Sequence, residues 1–210
     1  MIDSCGRTID YLRLSVTDLC NYCCRYCMPE EGVCKRARRE MLSLEELEAV
    51  ARAAVSLGIT KIRLTGGEPL VRRGIVELCR RLRAIAGLEE LCLTTNGSLL
   101  RELAAPLREA GADRLNISLD TLRPERFAQM TRRGALAEVL DGLSAAEQAG
   151  FTNLKINTVL IGGFNDDETP DFVSLTRVRP WEVRFIELMP MGPCAQWDKS
   201  CFLPGETVLR

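Results

Sequence analysis

Leu12-Arg13-Leu14-Ser15-Val16-Thr17 runs directly into Asp18-Leu19-Cys20-Asn21-Tyr22-Cys23-Cys24-Arg25-Tyr26-Cys27-Met28-Pro29. The first stretch is rich in Leu, Val and Thr and reads as a strand. The second packs four cysteines into eight positions, Cys20 to Cys27. Chemistry gathered just past the carboxyl end of a strand is the habit of parallel β/α sheets. Working outward, the same composition predicts strands over 61–65, 90–94, 114–119, 154–160 and 182–188. Helices fall between them. Ser43 and Glu46 form a capping box, after which Leu44, Leu47, Val50, Ala51, Ala54 and Leu57 line one face until Gly58. Ile75, Leu78, Cys79, Leu82 and Ile85 repeat that pattern. Further helices are expected over 102–110, with Pro106 at a start or kink, and over 136–149, stopping at Gly111 and Gly150. Six βα-type repeats make this an α/β chain. The expected fold is a partial (βα)6 TIM-like barrel, with a flat doubly wound sheet as the alternative. Beyond Met189, the residues Pro190, Gly192, Pro193, Pro204 and Gly205 predict irregular structure.

Composition narrows the chemistry. The 210 residues, 46% hydrophobic, suffice for one core, so 1–210 reads as one domain. Lysine plus arginine (28) balances aspartate plus glutamate (29), which gives no global field toward nucleic acid or an acidic membrane. No apolar run is long enough for a membrane span or a signal peptide, so a cytoplasmic protein is expected. In that reducing compartment ten cysteines point to metal rather than to disulfides. Histidine is absent, which excludes histidine-containing zinc sites, Ser-His and Cys-His pairs and imidazole bases.

Cys20, Cys24 and Cys27 give the spacing C-x3-C-x2-C. Three thiolates on such a loop can hold three corners of a cubane cluster and leave the fourth iron open. Two C-x2-C pairs, Cys20/Cys23 and Cys24/Cys27, also admit zinc, but zinc-ribbon pairs are well separated and these abut. Small buried side chains are the remaining reading, at odds with the polar neighbours Asn21 and Arg25. Cys5, Cys34, Cys79 and Cys92 read as ordinary thiols, with Cys79 in the core.

The strand ends carry more polar residues. Thr65-Gly66-Gly67-Glu68-Pro69 offers close backbone approach and a carboxylate, Thr94-Thr95-Asn96-Gly97 ends the third strand, and Asn116-Ile117-Ser118-Leu119-Asp120 ends the fourth. Arg13, Arg63, Lys155 and Arg184 lie inside four strands, where helix-covered sheets leave little solvent face. Several of these cations should therefore point into the barrel. Glu187 or Asp120 could neutralise them, but a polyanionic small substrate such as a nucleoside triphosphate fits better. The basic run Lys35-Arg36-Ala37-Arg38-Arg39 reads as a solvated loop rather than a nucleic-acid patch.

Cysteines spaced C-x3-C-x-aromatic-C after the first strand resemble the cluster loop of the radical S-adenosylmethionine superfamily, and the fold implied is that superfamily's core. The resemblance implies a 4Fe-4S cluster on Cys20, Cys24 and Cys27, with S-adenosyl-L-methionine on its open iron. Reductive cleavage would then yield a 5'-deoxyadenosyl radical. It implies cofactor contacts from Tyr26, from the segment Gly66, Gly67 and Glu68, from Ser118, and from the backbone of Met189. Cys23 takes a place usually held by another residue type and reads as a bystander.

Arg13 to Asp18, Ile62 to Leu70, Leu93 to Gly97, Asn116 to Asp120, Asn165-Asp166 and Arg184 to Met189 together resemble the GTP 3',8-cyclase family of molybdenum-cofactor biosynthesis. That implies GTP held by Arg13, Arg63, Thr94 and Lys155, abstraction of the ribose 3' hydrogen, and attack of the sugar radical on guanine C8. No protein side chain is assigned as a catalytic acid or base. The implied partners are GTP, a reductant such as flavodoxin or ferredoxin, and a downstream cyclic pyranopterin synthase, with neither nucleic acid nor membrane and with a homodimer as one arrangement. The family's C-terminal second-cluster region is missing, and Cys194 and Cys201 do not match its cysteine pattern. The expectation is therefore a fragment of a longer enzyme, against a shortened homologue. Rival readings are another radical enzyme, such as a peptide-modifying one, or a non-catalytic cluster- and cofactor-binding protein.

Overall fold

Alternating branched strands and glycine-stopped helices produce a six-stranded, wholly parallel sheet in the order β1-β2-β3-β4-β5-β6. The computed structural model describes residues 2–32 and 40–206. Cys34 and the basic run 35–39 lie outside the described residues. The strands are β1 (Tyr11–Ser15), β2 (Lys61–Thr65), β3 (Glu90–Thr95), β4 (Arg114–Ser118), β5 (Lys155–Leu160) and β6 (Glu182–Glu187). The helices are α1 (Leu44–Ser56), α2 (Ile75–Arg83), α3 (Leu100–Glu109), α4 (Pro124–Thr131), α5 (Leu136–Gln148) and α6 (Thr169–Val178). A doubly wound sheet reverses its strand order at a switch point. Here the order never reverses, so the sheet is an arc of a barrel.

Strand alternation separates two faces. Leu14, Ile62, Leu64, Leu93, Ile117 and Ile156 point outward into one apolar core beneath the helices. Arg13, Arg63, Cys92 and Arg114 form one register layer on the inner face, and Asn116 pairs in register with Thr94 and Lys155 in the next. The predicted lumen-facing cations are thus where strand parity puts them. No helix among the described residues is long and apolar enough to cross a membrane.

The capping box is present, with Ser43 Oγ accepting from Glu46 N at 3.1 Å and the Glu46 carboxylate accepting from Ser43 N at 2.7 Å. Two residues expected on the buried face of α1 are not there: Val50 is 43% and Leu57 is 61% exposed. The buried residues Leu47 and Ala51 define a narrower stripe, and Leu57 lies past the last helical turn. Pro106 sits inside α3 rather than at its start. Helices α4 and α6 went unpredicted, although each carries proline in its first turn, at Pro124 and Pro170. Fully buried Phe172 of α6 meets Phe185 of β6 edge-on, with ring centroids 6.2 Å apart.

The loops after β4 and β5 are stapled by fully buried polar groups. Asn165 Nδ2 donates to the carbonyls of Asp120 (2.6 Å) and Val159 (2.8 Å), while its Oδ1 accepts from Ile161 N (2.8 Å). Glu168 accepts from the Thr121 hydroxyl, Leu122 N and Arg126. Replacing Asn165→Ala strands three backbone groups, so urea denaturation should show a loss of roughly 3 kcal/mol. A loss below about 1 kcal/mol would mean the staple is dispensable.

Candidate functional site

The cysteine loop is seated by backbone. Past β1 and β2 the ladder continues through Val16 N to Thr65 O (2.9 Å), Gly67 N to Thr17 O (2.7 Å) and Glu68 N to Leu19 O (2.7 Å). This approach needs glycine. A Cβ on Gly66, whose φ is 146°, would stand 2.3 Å from Thr17 O, and one on Gly67 would stand 2.2 Å from Leu19 O. The next residue, Glu68, is 1% exposed. Its Oε1 accepts from Thr95 Oγ1 (2.6 Å) and Leu70 N (3.0 Å), and its Oε2 from Asn96 N (2.6 Å). Burial pushes the Glu68 carboxyl up in pKa, against the pull of those donors. In this arrangement Glu68 clamps the ends of β2 and β3 together.

Three further clamps fix the loop. Asn21 Nδ2 donates to Ser98 Oγ (2.9 Å), and Asn21 Oδ1 accepts from Asn96 (2.8 Å). Cys23 N and Arg25 N donate to the carbonyls of Thr131 and Met130, both at 3.0 Å. Arg132 has the left-handed φ of 61° and donates to the carbonyls of Cys23 (3.0 Å) and Met28 (3.1 Å), in the middle of the cysteine segment and just past its end. Within it, Cys27 N and Met28 N both donate to Cys24 O at 2.9 Å, a single turn that sets Cys24 beside Cys27. The buried Cys23 thiol donates to Pro29 O at 3.1 Å.

The donor set fits an iron–sulfur cluster. Burial raises the pKa of Cys20, Cys24 and Cys27, and nearby acidic groups, other thiols among them, raise it further for all three. Thiols crowded in this way resist ionising together unless a cationic centre compensates them, which is what bound iron supplies. Among the described residues no three Cys, Asp or Glu side chains converge as ligands of a single ion. Thiolates on separate irons of one cubane have no need to converge on one point.

Around the loop, Tyr26 Oη donates to Asp120 Oδ2 at 2.8 Å, and Asp120 Oδ1 accepts from Val159 N at 2.9 Å. Ser118 lies on the inner face of β4, two residues past Asn116. Met189 follows β6 and is 57% exposed, with its carbonyl accepting from the Cys194 thiol at 3.2 Å. The cations divide. Lys155 and Arg184 both pair with Glu182 at 2.5 Å, and Arg114 pairs with Glu90. Glu187 and Asp120 are not the neutralising anions, because Glu187 accepts from Gly205 N and Asp120 is turned to Tyr26. Arg13 and Arg63 form no ion pair among the described residues. Arg63 instead stacks over the Tyr11 ring, 5.4 Å from its centroid, and its buried Nε lacks a partner.

Sequence reasoning passed over Arg132, Asn21 and the Tyr26–Asp120 pair as parts of the site. Their partners lie 109, 77 and 94 residues away. The polar run Asn116 to Asp120 was the available signal for the last.

Burial pushes Asp120 up to about 6 from an ordinary 3.8, against hydrogen bonds from Val159 and Tyr26. A raised carboxyl favours the protonated fold, so stability falls as pH climbs from about 4 to about 6 and stays lower above that. The shift corresponds to roughly 3 kcal/mol. Asp120→Asn keeps a neutral group there. Urea denaturation of the metal-free chain should find this variant more stable than the parent at pH 7 and no more stable at pH 4. Equal stability at pH 7 would contradict the assignment.

Along its whole length the chain is similar to known proteins. It is 55% identical to a GTP 3',8-cyclase of Peptoclostridium acidaminophilum, over 100% of this chain and 65% of the relative. It is 57% identical to a GTP 3',8-cyclase of Geobacter sulfurreducens, over 100% of this chain and 64% of the relative. The chain thus spans about 65% of the length of these curated relatives. Among solved structures, methylornithine synthase superposes with a TM-score of 0.71 at 18% identity, covering 95% of this chain and 60% of that one. A radical SAM methyltransferase from Sphaerobacter thermophilus gives 0.71 at 19% identity, covering 95% and 61%. These two establish the shared fold. Residues 14–176 match the family model of the Radical SAM superfamily, and the chain belongs to that superfamily.

Proposed function

We propose that this chain is the radical-generating and substrate-holding core of a GTP 3',8-cyclase. Its cofactors are the 4Fe-4S cluster and S-adenosyl-L-methionine. The observation that carries the reading is the pair Arg13 and Arg63, neighbours in register on the inner face with no carboxylate partner among the described residues. Two guanidinium groups side by side in a lumen call for a multiply charged anion. The identity to cyclases along the whole chain supports a nucleoside triphosphate as that anion.

When bound, the cluster and S-adenosyl-L-methionine supply a carbon-centred radical able to take hydrogen from an unactivated sugar carbon. The chain supplies the geometry. Cys20, Cys24 and Cys27 hold the cluster at the C-terminal mouth of the arc. Tyr26, the backbone of Gly66 and Gly67, Ser118 and the Met189 backbone line the cofactor's place, with Glu68 shaping that backbone from beneath. Arg13, Arg63, Thr94 and Lys155 take the triphosphate end of GTP, Lys155 sharing itself with Glu182. The ribose is thereby aimed toward the cofactor end of the barrel, where its 3' hydrogen would be taken and C3' would add to guanine C8, opening C8=N7, with one electron from the reductant and one proton completing the product. A flavodoxin- or ferredoxin-type reductant and a cyclic pyranopterin synthase are the partners this reaction calls for. A reducing cytoplasm suits a cluster held on free thiols.

The test is anaerobic: reconstitute with iron and sulfide, add dithionite and S-adenosyl-L-methionine, and quantify 5'-deoxyadenosine with and without GTP. Stimulation by GTP is expected; GTP-independent cleavage alone would point to another substrate class. Replacing Arg13→Ala and Arg63→Ala together should weaken GTP binding by roughly 100-fold or more. Cofactor cleavage without GTP should stay at the parent level. Unchanged GTP affinity in the double variant would refute the triphosphate site.

A further inference from the structure

Asn116 is the polar side chain whose burial the fold does not explain. It is 0% exposed, and neither its Nδ2 nor its Oδ1 has a hydrogen-bond partner among the described residues. Buried polar atoms are nearly always paired, and an orphaned carboxamide costs stability that a leucine of similar volume would not. Strand parity directs Asn116 to the inner face, since Leu115 and Ile117 on either side are buried in the outer core.

Register fixes its height in the lumen. Arg114 shares a layer with Cys92, Arg63 and Arg13, so the unpaired cations lie one inward-facing step below Asn116. Ser118, assigned to the cofactor, lies one step above it. Thr94 and Lys155 flank it on the neighbouring strands. Asn116 therefore stands in the upper layer of the phosphate-binding groups, level with Thr94 and Lys155, and one step below the level that faces the cofactor.

The chemistry of the orphaned atoms selects the ligand group. Phosphate oxygens only accept, so a triphosphate could satisfy Nδ2 and would leave Oδ1 bare. A hydroxyl donates and accepts, and between a triphosphate and a radical source the hydroxyl-bearing part of a nucleotide is its sugar. We propose that Asn116 binds a ribose hydroxyl of the substrate and so sets the sugar's position against the cofactor. The inference rests on the nucleoside-triphosphate reading of the lumen.

The test titrates GTP and inorganic tripolyphosphate into the reconstituted chain by calorimetry, for the parent, Asn116→Leu and Asn116→Ala. Alanine guards against overpacking by leucine. GTP affinity should fall by roughly tenfold or more in a folded variant, while tripolyphosphate affinity stays within about twofold. The thermal midpoint of Asn116→Leu should not fall, because the orphaned atoms are gone. GTP affinity within about twofold of the parent would overturn the inference, leaving Asn116 as a site for internal water. Equal weakening of both ligands would overturn the sugar assignment. Failure of the parent to bind either ligand would overturn the triphosphate reading and this inference with it.

Discussion

The close approach of two backbone segments underlies the rest of the molecule. Gly66 and Gly67 lie against Thr17 to Leu19 with no room for a Cβ, and the hydrogen bonds made there continue the β1–β2 ladder into the cysteine loop. A loop that would otherwise be a flexible connection is thus held like a strand. The buried carboxylate of Glu68 transmits that order sideways, because three donors from the ends of β2 and β3 converge on it. Its desolvation is tolerable only while all three are in place.

From that contact the loop acquires its other supports. Asn21 reaches the turn after β3, Cys23 and Arg25 lean on the end of α4, and Arg132 ties the middle of the cysteine segment to Met28 just past it. One support comes from the turn after β3 and the other two from the C-terminal end of α4. The cysteine loop is consequently held by segments distant in sequence, although Cys20, Cys24 and Cys27 fall within eight consecutive positions. Ordering the loop before any cluster arrives lowers the entropy lost on binding.

Below the loop, electrostatics divides the lumen. Toward β6, Glu182 pairs with both Lys155 and Arg184; toward β1, Arg13 and Arg63 have no anionic partner among the described residues. Like charges paired in register repel, and aromatic stacking of Arg63 on Tyr11 offsets only part of that cost. The side of the arc with Arg13 and Arg63 is where an anionic ligand gains most.

Local signals in the sequence were enough for much of this. The strand boundaries, the Ser43 cap, the inward direction of Arg13, Arg63 and Lys155, and the cluster spacing all follow from periodicity and neighbouring residues. Helices α4 and α6 escaped because each buries too few residues to show a periodic apolar stripe, Phe127, Met130 and Thr131 in one and Phe172 alone in the other. Val50 and Leu57 misled because periodicity marks a face without giving its width. Tertiary structure alone decided which anion meets which cation, that Glu68 is a buried clamp, that Tyr26 is tied to Asp120, and that Asn116 has no hydrogen-bond partner among the described residues. Those outcomes depend on which residues from distant strands share a register layer, and strand parity read along one chain fixes direction but not neighbours.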